Sequence, residues 1–236
     1  MHSVIRRALM FVVLSAVSAA TTACGPAAGS TSESRPSPAG QRPLTKAQLA
    51  EALPDGGELP GFTTVPQSMA LLEAEDVVTA DRPSCRPIAD MMSVRPKHPR
   101  KAVVWATMKP DGAAPEAAPG SVTLTSHTGQ DAETWMAELR EALTECRGFT
   151  ARSQRGWTHR FSVRPLAAAR TGDDSVTYLL TNVLSPDGKG NVMTVVRTGG
   201  VFATYLMNED AEVPVPVPAS VASRQHKKLR AAAARR

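Results

Sequence analysis

The residues of this chain that could carry chemistry are five histidines, a few serine and carboxylate pairs and three cysteines. The histidines (His2, His98, His127, His159 and His226) are scattered. None stands at His-x-His or His-Glu-x-x-His spacing, which would set two ligands on one side of a strand or helix, so no metal site is expected. Ser126-His127 joins a nucleophile to a base in sequence. Neighbours on a strand point to opposite faces, however, and nucleophilic attack needs the hydroxyl and the ring within hydrogen-bond reach. The chain has no Gly-x-Ser-x-Gly elbow. Asp173 and Asp174 could bind a cation or divide acid and base roles, but they lack a third acidic partner. Gly172-Asp173-Asp174-Ser175 therefore reads as a turn. Asp187-Gly188-Lys189-Gly190 has no following Gly-Lys-Ser/Thr, and reads as a hairpin tip rather than a phosphate cradle. No catalytic residue, metal or cofactor is expected, and the ligand-binding residues stay unassigned.

The cysteines say more. Arg6 and Arg7 precede an apolar stretch, Ala8 to Val17, and then small residues up to Ala23. That is the layout of a secretory signal peptide, and it is too short to span a bilayer. Thr21-Thr22-Ala23-Cys24 resembles the bacterial lipobox, with Thr21 where that motif usually has Leu. Cleavage before Cys24 would leave its thiol to carry diacylglycerol, and more than one acyl chain gives stable anchoring. The alternative is ordinary cleavage near Ala20, which leaves Cys24 a spare thiol. Lipidation at Cys24 leaves Cys85 and Cys146 as an even pair in an oxidising compartment, where they are expected to form a disulfide. Closing the loop of about 60 residues between them stabilises a domain by about 4 kcal/mol in the chain-entropy model. Two unpaired core thiols are the alternative. Nothing has Cys-x-x-Cys spacing, so a redox role is not expected.

Composition narrows the partners. The full chain has 27 basic and 22 acidic residues, and loss of Arg6 and Arg7 leaves a net charge of +3. Arg224, Lys227, Lys228, Arg230, Arg235 and Arg236 are concentrated at the C-terminus, so the rest of the mature chain is mildly acidic. A basic tail on an acidic domain is not a nucleic-acid-binding surface. The tail is either solvated or drawn to anionic headgroups or wall polymers. Aromatics are 4% of the chain, too few for a broad sugar-stacking platform. The expected partners are the membrane, through the N-terminal lipid, and a small envelope ligand or a protein.

These residues need elements to hold them. Gly25 to Pro43 is rich in Gly, Ser, Thr, Pro and Ala and cannot offset its ordering entropy, so residues 24–43 read as a flexible tether with a reach of about 25 Å. Thr45 and Gln48 have capping-box spacing at the head of a short helix that Pro54-Asp55-Gly56-Gly57 ends. Strands are expected over 102–108, 120–126, 175–184, 191–198 and 201–207, with a short strand or extended segment over 61–65 and a further segment over 158–163. A short helix is expected over 85–92, and residues 69–82 stay ambiguous. Ala132, Trp135, Met136, Leu139, Leu143 and Cys146 recur every three or four residues and predict an amphipathic helix over 131–146, with Gly148 as its left-handed stop. Gly199-Gly200 between two β-rich runs predicts a hairpin that sets Arg197 opposite Phe202. A final helix from Ala219 should turn Val221, Gln225 and Leu229 inward. The expected fold is a single α+β domain: an antiparallel sheet of about five to seven strands with one long amphipathic helix and shorter helices packed on it. The expected divisions are a leader at 1–23, the tether, a domain at 44–229 and a basic tail at 230–236.

Trp135-x3-Leu139-x6-Cys146-x-Gly148-Phe149, then Gly172-Asp173-Asp174-Ser175-Val176-x-Tyr178, then Val195-Val196-Arg197-x-Gly199, resembles actinobacterial lipoproteins related to the extracellular sensor domain of PknH-type receptor kinases. The resemblance covers roughly Leu44 to Leu229. It implies an antiparallel sheet with packed helices and a ligand cleft, and it brings no catalytic residues. Two departures stand out: this chain can form one disulfide where the sensor domain of those kinases carries two, and neither a kinase domain nor a spanning helix is expected in it.

Overall fold

The computed structural model describes residues 42–113, 120–168, 170–186, 190–208 and 215–235, all within one compact unit, Pro36–Arg236. The expected leader, Cys24, all but the end of the tether, the hairpin tip at Asp187–Lys189 and Arg236 lie outside the described residues.

The first elements are α1 (Lys46–Ala52), β1 (Gly56–Leu59), β2 (Phe62–Gln67) and β3 (Val78–Ala80). A 3-10 turn (Pro83–Cys85) then runs into α2 (Arg86–Asp90). They are followed by β4 (Ala102–Pro110), β5 (Gly120–Ser126), α3 (Gly129–Glu145), β6 (Gly148–Ser153) and β7 (Thr158–Leu166). The chain ends with β8 (Asp174–Asn182), β9 (Gly190–Thr198), β10 (Val201–Asn208) and α4 (Ala219–Ala234). All ten strands form one antiparallel sheet in the order β1-β2-β4-β5-β10-β9-β8-β7-β6-β3.

The expectation of five to seven strands under one long helix is overturned. The sheet has ten strands, and α3 (17 residues) is matched by α4 (16 residues). Three short strands account for the difference. β1 begins within the Pro-Asp-Gly-Gly segment that reads as a helix stop and runs on to Leu59, and β3 lies inside the ambiguous 69–82 stretch. β6 begins at Gly148, which does not serve as a left-handed cap. A Cβ there would sit 2.7 Å from the Phe161 carbonyl oxygen, so glycine is needed because β7 passes too close for any side chain.

Alternation along the strands divides the core in two. Val104, Ala106, Val122, Leu124, Ala203 and Tyr205 pack with α1 and α4. Val163, Val176, Tyr178, Val195 and Phe202 pack with α2 and α3. Successive residues of β10 enter different clusters, so the two helix pairs lie on opposite faces of the sheet. β9 and β10, in the middle, are covered on both sides. Gly199, at φ 56°, makes the turn between them, and the register pairs Arg197 with Phe202 and Thr198 with Val201 as the Gly-Gly spacing predicts. The helices follow local rules. Thr45 and Gln48 close a capping box on α1, and the Thr128 hydroxyl accepts the Asp131 amide at the head of α3. Trp135, Met136 and Leu139 are buried along α3, each contributing about 2 kcal/mol relative to exposure.

Candidate functional site

Polar groups converge where α3 meets the segment between α2 and β4. The α3 face that turns Trp135 into the core also presents Asp131 and Glu138, two turns apart, to His98. His98 is buried, with Nε2 3.0 Å from Glu138 Oε2 and Nδ1 3.6 Å from Asp131 Oδ1. Lys97 Nζ reaches the other Glu138 oxygen. Burial would raise the Glu138 carboxyl, but hydrogen bonds from Lys97 and His98 outweigh it and hold the group below its usual range. Asp131 is held low first by the Thr128 hydroxyl and then by His98. Arg100 closes the other side. Its guanidinium donates to the carbonyls of Asp90 (2.9 Å), Met91 (3.1 Å) and Ser93, at and just beyond the end of α2, and it lies 5.3 Å from the Trp135 ring centre. Burial lowers its pKa to about 10.

His127 sits deeper, fully buried between Trp135 (ring centres 5.4 Å apart) and Phe202 (5.0 Å). Its Nε2 pairs with Thr125 Oγ1 at 2.9 Å, while Nδ1 has no partner of hydrogen-bond geometry. Burial, and then the Arg100 charge, push its pKa down to about 4, against weaker opposition from the Pro99 carbonyl and Asp131. The Ser126 hydroxyl is also buried, and strand alternation turns it to the opposite face from Thr125. Ser126 and His127 are not brought together.

A groove of about 290 Å³ runs beside this cluster, between α3 and the 3-10 turn with α2. Arg86 and Lys97 line it with Asp90, Glu138, Glu141 and Glu145. Cys85 and Cys146 are joined at a Cα separation of 5.3 Å, tying the turn before α2 to the end of α3. The bridge therefore fixes the spacing of the groove's two walls. What the arrangement can do is bind: cations and carboxylates from three elements converge on an open channel.

The remaining sequence candidates lie elsewhere. Asp173 Oδ2 accepts the Gly199 amide at 2.6 Å and lies near Arg197 and Arg230, while Asp174 pairs with Arg140. Asp173 thus holds the β9–β10 turn, and Asp174 ties the start of β8 to α3. His159 bonds to Asn182 and stacks on Trp157, and His226 bonds to Thr198. Sequence reasoning missed Lys97, Arg100 and Glu138. Glu138 lies about 40 residues from His98, and no local spacing marks the pair. On the other face, Gln225 Nε2 donates to the Ala52 carbonyl at 2.9 Å beside a second groove of about 210 Å³, and its Oε1 has no partner.

The fold resembles that of the extracellular domain of PknH from Mycobacterium tuberculosis. The two superpose with a TM-score of 0.52 at 12% identity, over 84% of this chain and 100% of that one. The similarity is one of fold. No protein-family model and no curated protein matches the chain.

Proposed function

We propose that the chain is an exported, lipid-anchored, sensor-like domain that binds a ligand at the outer face of the cytoplasmic membrane, without catalysis or cofactor. The observation that carries this reading is the fold, which spans the whole of a domain known to be extracellular. Two sequence features support it: the leader ending at Cys24, and a cysteine pair suited to an oxidising compartment. The groove beside the disulfide is the proposed binding site. Its mixed charge favours a polar or zwitterionic envelope ligand, from small molecule to short peptide. Titrating the mature protein with fractionated envelope extract should raise its thermal midpoint saturably, as mass action requires. Glu138→Gln should weaken the response, whereas failure of every fraction to move the midpoint would count against binding.

A second reading, a scaffold for another envelope protein, is favoured by one observation. Val65 (53% exposed), Met69 (67%) and Leu71 (39%) are large apolar side chains left open on β2 and the segment after it. Crosslinking from a photoreactive group at position 69 tests it: a single repeatable adduct would support the scaffold and none would remove it.

A further inference from the structure

On the sheet face opposite α3, strands β6 and β7 carry exposed side chains. Phe149, Val163 and Tyr178 are buried with α3, so strand alternation turns Thr150, Arg152, Arg160, Ser162, Arg164 and Thr181 the other way. Arg152, Arg160 and Arg164 are all exposed. Arg160 pairs across the ladder with Thr150, and Arg152 with Thr158, so those two arginines are diagonal neighbours about 7 Å apart at the backbone. Arg164 lies about 13 Å along β7 from Arg160. No position on this face of β6, β7 or β8 is a carboxylate. At the edge, Asp81 accepts the Thr150 amide at 2.9 Å.

The three guanidiniums have no ion pair or hydrogen bond among the described residues. Arg86, Arg140, Arg155, Arg197 and Arg230, by contrast, each lie against a carboxylate. Like charges on adjacent strands repel, so the free domain gains no stability from this set. Beside them, at the end of β8, the Val183 amide donates to the Arg160 carbonyl at 2.8 Å, which places an aliphatic side chain across from that arginine. Val183 is 49% exposed and Leu184 59%.

We infer that this face docks the domain on the anionic surface of a lipid bilayer. The guanidiniums engage headgroup phosphates, which they can meet through two parallel N–H donors, and the neighbouring hydroxyls add further donors. Val183 enters the headgroup boundary, and Leu184 adjoins it in the turn that follows β8. That aliphatic pair selects a bilayer over a soluble polyanion, because a bilayer rewards charge and apolar contact at the same place. The inference rests on the proposed membrane location but uses different residues: the lipid at Cys24 holds the chain near the leaflet, and this face sets how the domain lies on it.

The test uses mature protein extracted from membranes, with Leu184→Cys carrying a polarity-sensitive dye. It is reconstituted in vesicles of phosphatidylcholine, alone or mixed with phosphatidylglycerol. Dye emission should shift to the blue only in the mixed vesicles. Changing Arg152, Arg160 and Arg164 together to Gln should lower the docked-to-free ratio about a hundredfold, roughly fivefold for each charge removed. The triple Lys variant should keep most of the shift, and unchanged circular dichroism would show that both variants fold. Equal emission in the two vesicle types, or a shift that survives the Gln substitutions, would overturn the inference. So would a shift produced by soluble polyphosphate in the absence of any response to vesicles. Failure to float with pure phosphatidylcholine vesicles would break the anchor reading, whereas flotation with the anionic vesicles alone would still support this face.

Discussion

Acidification should destabilise the domain between pH 6.5 and 4, and His127 should account for most of that loss. Its ring is fully buried against Trp135 and Phe202, with the Arg100 charge nearby, and its pKa falls from 6.5 to about 4. Above pH 6.5 the imidazole is neutral in both folded and unfolded chains, so stability is complete. As pH falls below 6.5 the unfolded chain takes up a proton that the folded chain refuses, and stability drops by up to about 1.4 kcal/mol per pH unit. The drop levels off near pH 4, after a total of about 3 kcal/mol, with about 2 kcal/mol already gone at pH 5. His226, also lowered by burial, adds a smaller loss in the same direction. Asp131 and Glu138 are depressed carboxylates, so their contributions are complete above the ordinary carboxylate range and are lost as pH falls from there through their folded values, in wild type and variant alike. Urea unfolding of wild type and His127→Phe at pH 7.5, 6, 5 and 4.5 isolates the effect. The variant loses the hydrogen bond to Thr125 and should be weaker at pH 7.5, but its stability should fall about 2 kcal/mol less by pH 5. Equal pH slopes for the two proteins, or a folded-state NMR titration of His127 near 6.5, would refute the reasoning.

Three further outcomes follow from the packing. Replacing Cys85 and Cys146 with Ser opens a loop of 61 residues and should cost about 4 kcal/mol, read as a lower urea midpoint; an unchanged midpoint would contradict the tie. Trp135→Ala removes a side chain that is 1% exposed and should cost about 3–5 kcal/mol, whereas a loss under about 1 kcal/mol would place that ring outside the core. Gly148→Ala should cost about 1–3 kcal/mol through its contact with the Phe161 carbonyl, and a neutral substitution would argue against the β6–β7 pairing.

What could be read from sequence was local. The three-and-four spacing from Ala132 to Cys146 marks α3 because a buried helix face repeats at that period. Gly199-Gly200 sets the β9–β10 register because only a left-handed turn joins two strands so tightly. Thr45 and Gln48 mark the head of α1 for a similar reason. The misses depend on the rest of the chain. Gly56–Leu59 and Val78–Ala80 are too short to show alternation and become strands by pairing with β2 and β6. Gly148 looks like a helix stop, and its β7 neighbour becomes visible only in three dimensions. The same holds for the site. Cysteine parity points to Cys85 and Cys146, but the meeting of His98 with Asp131 and Glu138 depends on how α3 crosses the α2–β4 connection. The arginine face is hidden likewise, since Arg152 on β6 and Arg160 on β7 become neighbours through strand pairing.

Mass spectrometry of the mature protein, extracted from membranes without reduction, tests the central claim most directly. It should find an N-terminal peptide that begins at Cys24 and carries diacylglycerol. A second, crosslinked peptide should join Cys85 to Cys146, with neither thiol labelled by alkylation. An unmodified amino terminus at another residue, or alkylation of Cys85 and Cys146 in the native protein, would contradict the account.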